Sequence, residues 1–535
     1  MKEEFQQFIK NFENKVIDLS KELSLSNFNA TISGKPEDYE RTAKLELKLK
    51  KIFSNKEEFE LLKKIKASDE ITDEINRREI DVLFNAFSEF QIDEELLEKT
   101  VSLSTKIEQL FSTYRAEVKE KKLTDNEIDK ILENSLDSNE LEETWKASKQ
   151  IGKIVSEDVI NLVKLRNEAA KNLGYDNYHQ MSLQLSELDP KFLDDLLDEL
   201  DKNTRSKFFE LKNDIDKYLS HHYKIPIDQL MPWHYQDKFF QQGPSIYNID
   251  LDKYFENENI EKLTEDYFDG IELDIKDMLD KSDLYEKEGK YQHAYCTQID
   301  KEGDVRVLCN IKPNYKWMGT MLHEFGHAVY DKYVSPKLPW VLREHAHIFT
   351  TEAIAMLFGR LASNPNWLQS MVGINDAEKE KIDENSFKSI QLEQIIFSRW
   401  VQVIYRFEKA MFENSDRDLN SLWWELVEKY QGLKKPENRN EPDWAAKIHI
   451  ALYPVYYQNY MLGELLASQL YYYIKEKVLK NTTNKRISFA NKKEVGGYLK
   501  NLFFSYGALY KWDKLINSST GEGLSSKYWI KQFVQ

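Results

Sequence analysis

Cysteine is nearly absent from this chain, with Cys296 and Cys309 the only two in 535 residues. A disulfide framework is therefore excluded as the source of stability, and the count suits a reducing cytoplasm. Glycine and proline are sparse, 18 and 12, and no Gly/Ser-rich linker, low-complexity run or internal repeat is visible. One large helical body is expected rather than a string of modules. No apolar stretch reaches the length of a membrane span. The first residues, Met1 to Gln7, lack the apolar core of a secretory signal. Positive charge is also short: 75 Lys and Arg face 92 Asp and Glu, a net charge of −17. Nucleic-acid binding needs a basic footprint, so that class is excluded. A soluble cytoplasmic protein is expected, as monomer or homodimer.

What the chain does have is apolar and aromatic side chains, 41% and 13% of the residues, enough for a large core. Helical spacing dominates the first half. Thr124-x-x-Glu127 before Ile128 reads as a capping box. Asp189-Pro190 reads as an N-cap with proline at the first helical position, opening a helix over about 188–219. One region departs from this pattern. Residues 291–297 and 305–311 flank Lys301-Glu302-Gly303-Asp304 and predict a β-hairpin. Cys296 and Cys309 are equidistant from that turn, so they are expected to be able to face each other across the strands. A disulfide is sterically conceivable, with two reduced, buried thiols favoured in a cytoplasm.

Histidine is scarce, 10 residues, yet two of them form His323-Glu324-Phe325-Gly326-His327, with Glu352 following 25 positions later. Positions i and i+4 share one helix face, so both imidazoles can reach one ion. Two histidines and a downstream glutamate make the three-ligand set of a catalytic zinc site, which leaves a fourth position open. Such an ion lowers the pKa of water from 15.7 to roughly 7, and Glu324 is placed to take the proton and pass it to a leaving amine. The reaction class is peptide-bond hydrolysis. The plainer alternative is a surface helix with two satisfied histidines. The flanks, residues 317–322 and 328–330, are apolar, and ionisable groups on such a helix need a partner.

Other candidates are weaker on pattern alone. The open edge of the hairpin suits an extended peptide added as a strand. His293, 30 residues before His323, is as well read as a structural histidine on a strand as a donor to a substrate carbonyl. Lys447 and His449 precede Tyr457 and Tyr460, an i, i+3 pair. A tyrosine hydroxyl with a neutral histidine suits an oxyanion, and Lys447 suits a carboxylate as a point charge. Nothing in the spacing separates these two tyrosines from the other 27 of the chain's 29.

The stretches Trp423 to Leu433 and Arg439 to Ile450 resemble the angiotensin-converting enzyme (peptidyl-dipeptidase A) family. So do His293-Ala294, the histidine motif, Leu342-Arg343-Glu344 and Thr351-Glu352-Ala353-Ile354. The likeness runs from about His293 to Tyr460. Residues 460–469 are similar to the carboxypeptidase Taq family, and the thimet oligopeptidase and oligopeptidase F families share the broad architecture. The resemblance implies an all-α, gluzincin-type metallopeptidase: a two-lobed ellipsoid with a deep central channel and a small β-hairpin beside the zinc helix. It implies one peptidase domain, with an N-terminal helical lobe over 1–190, a catalytic portion over 191–535, and the site within 290–465. His323, His327 and Glu352 are then the zinc ligands and Glu324 the general base and acid. Tyr460 is the oxyanion stabiliser with His449 beside it. Lys447, Tyr457 and Gln236 clamp the substrate's C-terminal carboxylate, and His293 with the Ala294 backbone positions the peptide.

The chain departs from the family in several places. The supporting aspartate that the family carries four residues after the glutamate ligand is Met356 here, so another group must orient a histidine. The arginine tied to chloride activation is Asn459. His345 and His347 are extra and are taken as wall or supporting residues, with His345 two turns back on the glutamate's helix if that helix starts early enough. Three functions follow. The first is a peptidyl-dipeptidase acting on short peptides. The second is a carboxypeptidase or internal oligopeptidase of the same fold, and the third a peptide-binding scaffold that has lost the chemistry. The intact motif disfavours the third.

Overall fold

A computed structural model describes residues 1–247, 249–481, 483 and 486–535. About 69% of the chain is helical, and the described strands form two separate two-stranded ribbons. This agrees with the all-α expectation. The chain forms two compact units, each built from three stretches. The first comprises Met1–Gln91, Ile249–Ser386 and Leu462–Tyr528; the second comprises Ile92–Asn248, Phe387–Met461 and Trp529–Gln535. The sequence division at 190 falls inside the second unit.

In the first unit, α1 (Lys2–Ser33), α2 (Pro36–Phe53), α3 (Lys56–Ala67) and α4 (Glu74–Glu89) gather an aromatic core. Phe5, Phe8, Phe12 and Val16 recur at helical spacing along α1 and are buried against Leu62, Ile65, Ile80, Leu83 and Phe87. Gly34 ends α1 in the left-handed region, φ 65°, and its N–H closes on the Ala30 carbonyl at 2.9 Å. A Cβ at Gly34 would stand 2.1 Å from the Gly289 carbonyl oxygen, so glycine is required twice over.

The hairpin pairs β1 (Tyr295–Gln298) with β2 (Val305–Leu308). The strands are shorter than the alternating pattern suggests. Ile299 N–H closes on the Asp304 carbonyl at 2.8 Å, which centres the turn between Lys301 and Glu302. Cys296 therefore lies opposite Val307 and not opposite Cys309. The expectation of facing cysteines is corrected: Cys309 is a diagonal neighbour two residues further along the same face, and both thiols are free. The reason is a turn centred one residue earlier than a symmetric reading places it.

Two helices follow that carry the histidine motif and its glutamate, α5 (Tyr315–Lys332) and α6 (Ile348–Gly359). Asn314 caps α5, its side chain accepting from the Trp317 N–H at 2.9 Å. The two helices meet at Gly326, where a Cβ would stand 2.8 Å from Ala355 Cα and 3.1 Å from Ala355 N. Only a residue without a side chain lets the two backbones approach this closely.

In the second unit the predicted capping box is present: Thr124 N–H donates to Glu127 at 2.8 Å. Asp189 caps the helix Pro190–Tyr223, accepting from the Phe192 N–H at 2.8 Å. Buried Arg399 holds this helix to its neighbours, pairing with Asp201 and donating to the Tyr430 carbonyl at 2.8 Å. The Trp423-Trp424 and Arg439 to Ile450 stretches meet here. Trp424 Nε1 donates to Asp443 at 3.2 Å, and Arg439 grips the same carboxylate at 2.8 and 2.6 Å. The family-like motif therefore fixes the segment that presents Lys447.

Adding one methyl at the crossing of α5 and α6 tests the packing. Gly326→Ala should lower stability by about 1–3 kcal/mol, the usual cost of overpacking, as read by denaturant titration. An unchanged midpoint would mean that α6 shifts freely.

Candidate metal centre

Helix α5 places His323 and His327 one turn apart with ring centroids 5.0 Å from each other. Helix α6 brings Glu352 between them, its Oε2 3.8 Å from His323 Nε2 and 3.9 Å from His327 Nε2. One ligand atom from each residue lies within 4.8 Å of the others. Ligand bonds of about 2.0–2.2 Å to a tetrahedral zinc would set such atoms roughly 3.4 Å apart, so the arrangement fits an ion with only small side-chain rotation. Burial holds His323 down to about 4 and His327 well below its ordinary value. Burial also pushes Glu352 up to about 7. Neutral imidazoles and a carboxylate whose ionisation costs desolvation are a donor set that a divalent cation stabilises.

Glu324 sits beside this set, buried, with the Cys296 backbone N–H directed at its carboxylate. Burial, and then the charge of Glu352, pushes Glu324 up to about 8, against the pull of the Cys296 amide. A divalent cation at the neighbouring donor set would offset the charge of Glu352 and draw this carboxyl back toward its ionised form.

The hydroxyl of Thr351 lies 2.7 Å from His327 Nδ1. With the proton on Nδ1 the ring offers its Nε2 lone pair to the centre. Met356 removes the carboxylate expected nearby, and Thr351, which immediately precedes Glu352, is the group placed to orient His327. Sequence reasoning missed it because the threonine is on a different helix from the histidine it serves. Gly463 is a second omission. A Cβ there would stand 3.0 Å from Glu352 Cβ and 3.2 Å from Met356 Sδ, so a close backbone approach buttresses the glutamate.

The extra histidines take structural places. His347 caps α6, its Nδ1 accepting from the Phe349 N–H at 3.1 Å. Helix α6 thus begins at Ile348, and His345 stands outside it, not two turns back on it. His345 Nδ1 lies 3.7 Å from Asp331 Oδ1 on the last turn of α5. Burial opposes its charge, but Asp331 and Glu344 hold it above its ordinary value. His293 is exposed on the chain leading into β1, its ring 5.4 Å from that of Tyr291, and Ala294 follows it at the strand's entrance.

The remaining candidates gather in the second unit. Lys447 is buried, and its Nζ donates to Gln241 Oε1 at 2.7 Å. The Tyr457 hydroxyl donates to the same oxygen at 3.3 Å. Rings of Phe239, Trp400 and Tyr457 surround the ammonium at 5.4–5.6 Å. Burial holds Lys447 down to about 8. His449 packs on Tyr457 at 5.1 Å between centroids, and Tyr457 on Tyr460 at 5.4 Å. Burial, aided by Lys447, holds His449 down to about 4, a neutral imidazole.

Gln236 is not part of this cluster. It ends a short 3-10 turn in the left-handed region, φ 60°, and its amide donates to the Glu133 carbonyl at 3.2 Å. The chain then turns about Asp237, whose carboxylate accepts from the Gln241 N–H at 3.0 Å. Gln241 is therefore the glutamine that meets Lys447. A Gln five residues on was visible in the sequence, but the reversal at Gln236 was not.

The family profile described as Angiotensin-converting enzyme matches residues 1–533. An angiotensin-converting enzyme of Theromyzon tessulatum is 23% identical over 433 residues, 75% of this chain and 70% of that protein. Thermostable carboxypeptidase 1 of Pyrococcus furiosus is 22% identical over 409 residues, 69% of this chain and 72% of its own length. Oligoendopeptidase F of Lactococcus lactis is 27% identical over 221 residues, 40% of this chain and 35% of that protein.

Removing the Thr351 hydroxyl isolates its role. Thr351→Val should weaken zinc binding by about 10- to 100-fold, the usual cost of losing a group that orients a ligand, while the melting profile of the metal-free protein stays close to wild type. Competition against a chelating dye measures the first quantity. Unchanged affinity would leave Thr351 without an orienting role.

Proposed function

We propose a specific reaction for this chain, which belongs to the angiotensin-converting enzyme family and is a metallopeptidase: zinc-dependent removal of dipeptides from the free C-termini of short peptides. The observation that carries this reading is the buried Lys447–Gln241–Tyr457 cluster, a carboxylate receptor in a chain that also holds a three-ligand metal site. His323, His327 and Glu352 would hold the zinc. Bound there, zinc supplies Lewis-acid activation of the scissile carbonyl and of the attacking water.

The other steps belong to side chains. Glu324 takes the proton of the attacking water and returns it to the leaving amine; its placement beside the candidate ligands and against the Cys296 amide supports that role. Tyr460 donates to the developing oxyanion, with neutral His449 as the second donor. Lys447 and Tyr457 hold the terminal carboxylate, with Gln241 in the place first given to Gln236. His293 and the Ala294 backbone position the peptide. No described helix is long and apolar enough to cross a membrane; a cytoplasmic site of action is part of the proposal.

A ten-residue free-acid peptide and its C-terminal amide, followed by mass spectrometry with a chelator control, test this reading. Successive loss of two residues from the acid alone is expected. Loss of single residues would assign a carboxypeptidase, and internal cuts in both peptides an oligopeptidase, the activities named for two of the relatives. No chelator-sensitive cleavage of either peptide would favour a binding scaffold.

The clamp also carries a pH signature. A lysine is cationic below its pKa, and burial sets that of Lys447 near 8. As pH rises through about 8 the charge is lost, so kcat/KM for free-acid substrates should fall there. Amidated substrates should show no such step, and Lys447→Met should remove it. A step of equal size for acid and amide would assign it to another group.

A further inference from the structure

The first unit contains a cavity of about 300 Å³, away from the metal ligands, between α1, α2, α4 and the far end of the hairpin. Its floor is apolar, formed by Phe12, Val16, Phe53 and Leu83, and Trp340 closes one side. Its rim is polar but balanced. Lys301 Nζ meets Glu344 at 2.6 Å, and Lys21 Nζ meets Asp300 at 3.4 Å. A neutral, apolar occupant suits such a space. One polar atom has been left without a partner: Gln298 Oε1 is buried and accepts no hydrogen bond, and Gln298 lines the cavity. A buried acceptor of this kind is costly unless something donates to it.

The hairpin connects this cavity to the metal centre. On its outer side β2 is covered by Asp283, whose N–H donates to the Val307 carbonyl at 3.0 Å and whose carbonyl accepts from Cys309 at 2.9 Å. The other edge, that of β1, pairs with no further strand among the described residues. Because Ile299 N–H points inward to Asp304, antiparallel alternation turns the Cys296 and Gln298 amides outward. The Cys296 amide reaches Glu324, which marks the reacting end of the edge. A peptide added to β1 in the more stable antiparallel sense has its N-terminal residues at the Gln298 end. At about 3.3 Å per residue, Gln298 and Ile299 lie roughly two to three residues beyond Cys296, where the turn begins.

We propose that this cavity is a substrate subsite for an apolar, preferably aromatic, side chain three or four residues on the N-terminal side of the scissile bond, with Gln298 Oε1 accepting a backbone N–H of the same peptide. The proposal rests on the peptidase reading for the direction and position of the bound chain. It adds a specificity element built from the N-terminal helices, which hold none of the metal-ligating or carboxylate-binding candidates.

The test uses zinc-loaded Glu324→Gln protein and a set of nine-residue free-acid peptides that carry a single Phe at successive positions in a Gly/Ser-rich background. Affinity is read by calorimetry. Phe at the fifth or sixth residue from the C-terminus should tighten binding about tenfold or more over Gly there, as expected for burying an aromatic side chain. Phe at other positions beyond the fourth should give less. Ala86→Trp and Ser24→Phe fill the cavity from α4 and α1 respectively, and each, added to Glu324→Gln, should bring that ratio to about one. Two variants on different helices guard against one failing to fold, which circular dichroism checks. A flat Phe scan, or a preference that survives both filled variants, would overturn the subsite. Cleavage of the Phe-free peptide by the wild-type protein is scored separately: its absence would sink the peptidase reading, whereas cleavage with a flat scan would sink only the subsite.

Discussion

Everything at the metal centre depends on how closely two helix backbones approach. Gly326 lets α5 touch α6 at Ala355, closer than any side chain would allow. That contact brings Glu352 within 4 Å of both His323 and His327 and places the Thr351 hydroxyl against the back of His327. Gly463 repeats the device on the other side of Glu352. Two glycines in helices cost propensity, and here they hold a three-residue constellation drawn from two chain segments. A donor set of this kind needs placement within a fraction of an ångström, and backbone contact supplies it more rigidly than side-chain packing.

The hairpin serves the same centre from another direction. Asp283 covers its β2 edge, and its β1 edge turns the Cys296 amide toward Glu324. One short ribbon in a helical protein therefore does two things. It fixes the group proposed to move the proton, and it offers an extended peptide a place to pair. The edge is only four residues long, short enough to limit unwanted pairing with other chains. The cavity at its far end extends the same surface to the aromatic core of the N-terminal helices.

The cluster around Lys447 in the second unit follows a different logic. Lys447 is buried among three aromatic rings, with Gln241 and Tyr457 completing its surroundings. A buried ammonium with neutral partners is held below its ordinary pKa and is ready for an anion. Trp424 and Arg439 both bond Asp443 and so hold the segment that carries this lysine.

The candidate metal-binding set was legible in the sequence because two of its members share one helix face at i and i+4, and a local period needs no knowledge of the fold. The helical class, the capping box at Thr124 and the start at Asp189 were legible for the same local reason. The exact centre of the hairpin turn was not, and one residue of error moved Cys309 from facing Cys296 to lying diagonal to it. The glutamine that meets Lys447 was placed five positions too early because the reversal at Gln236 depends on a left-handed residue and a bond to Glu133, over a hundred residues away. By itself, then, the sequence determined the fold class and the candidates for binding a metal, moving a proton and receiving a carboxylate. Only the tertiary structure decided their supports, Thr351 behind His327 and Gln241 on Lys447, and the cavity beyond β1. Each of these joins groups on separate elements, and contacts between elements leave no period along the chain.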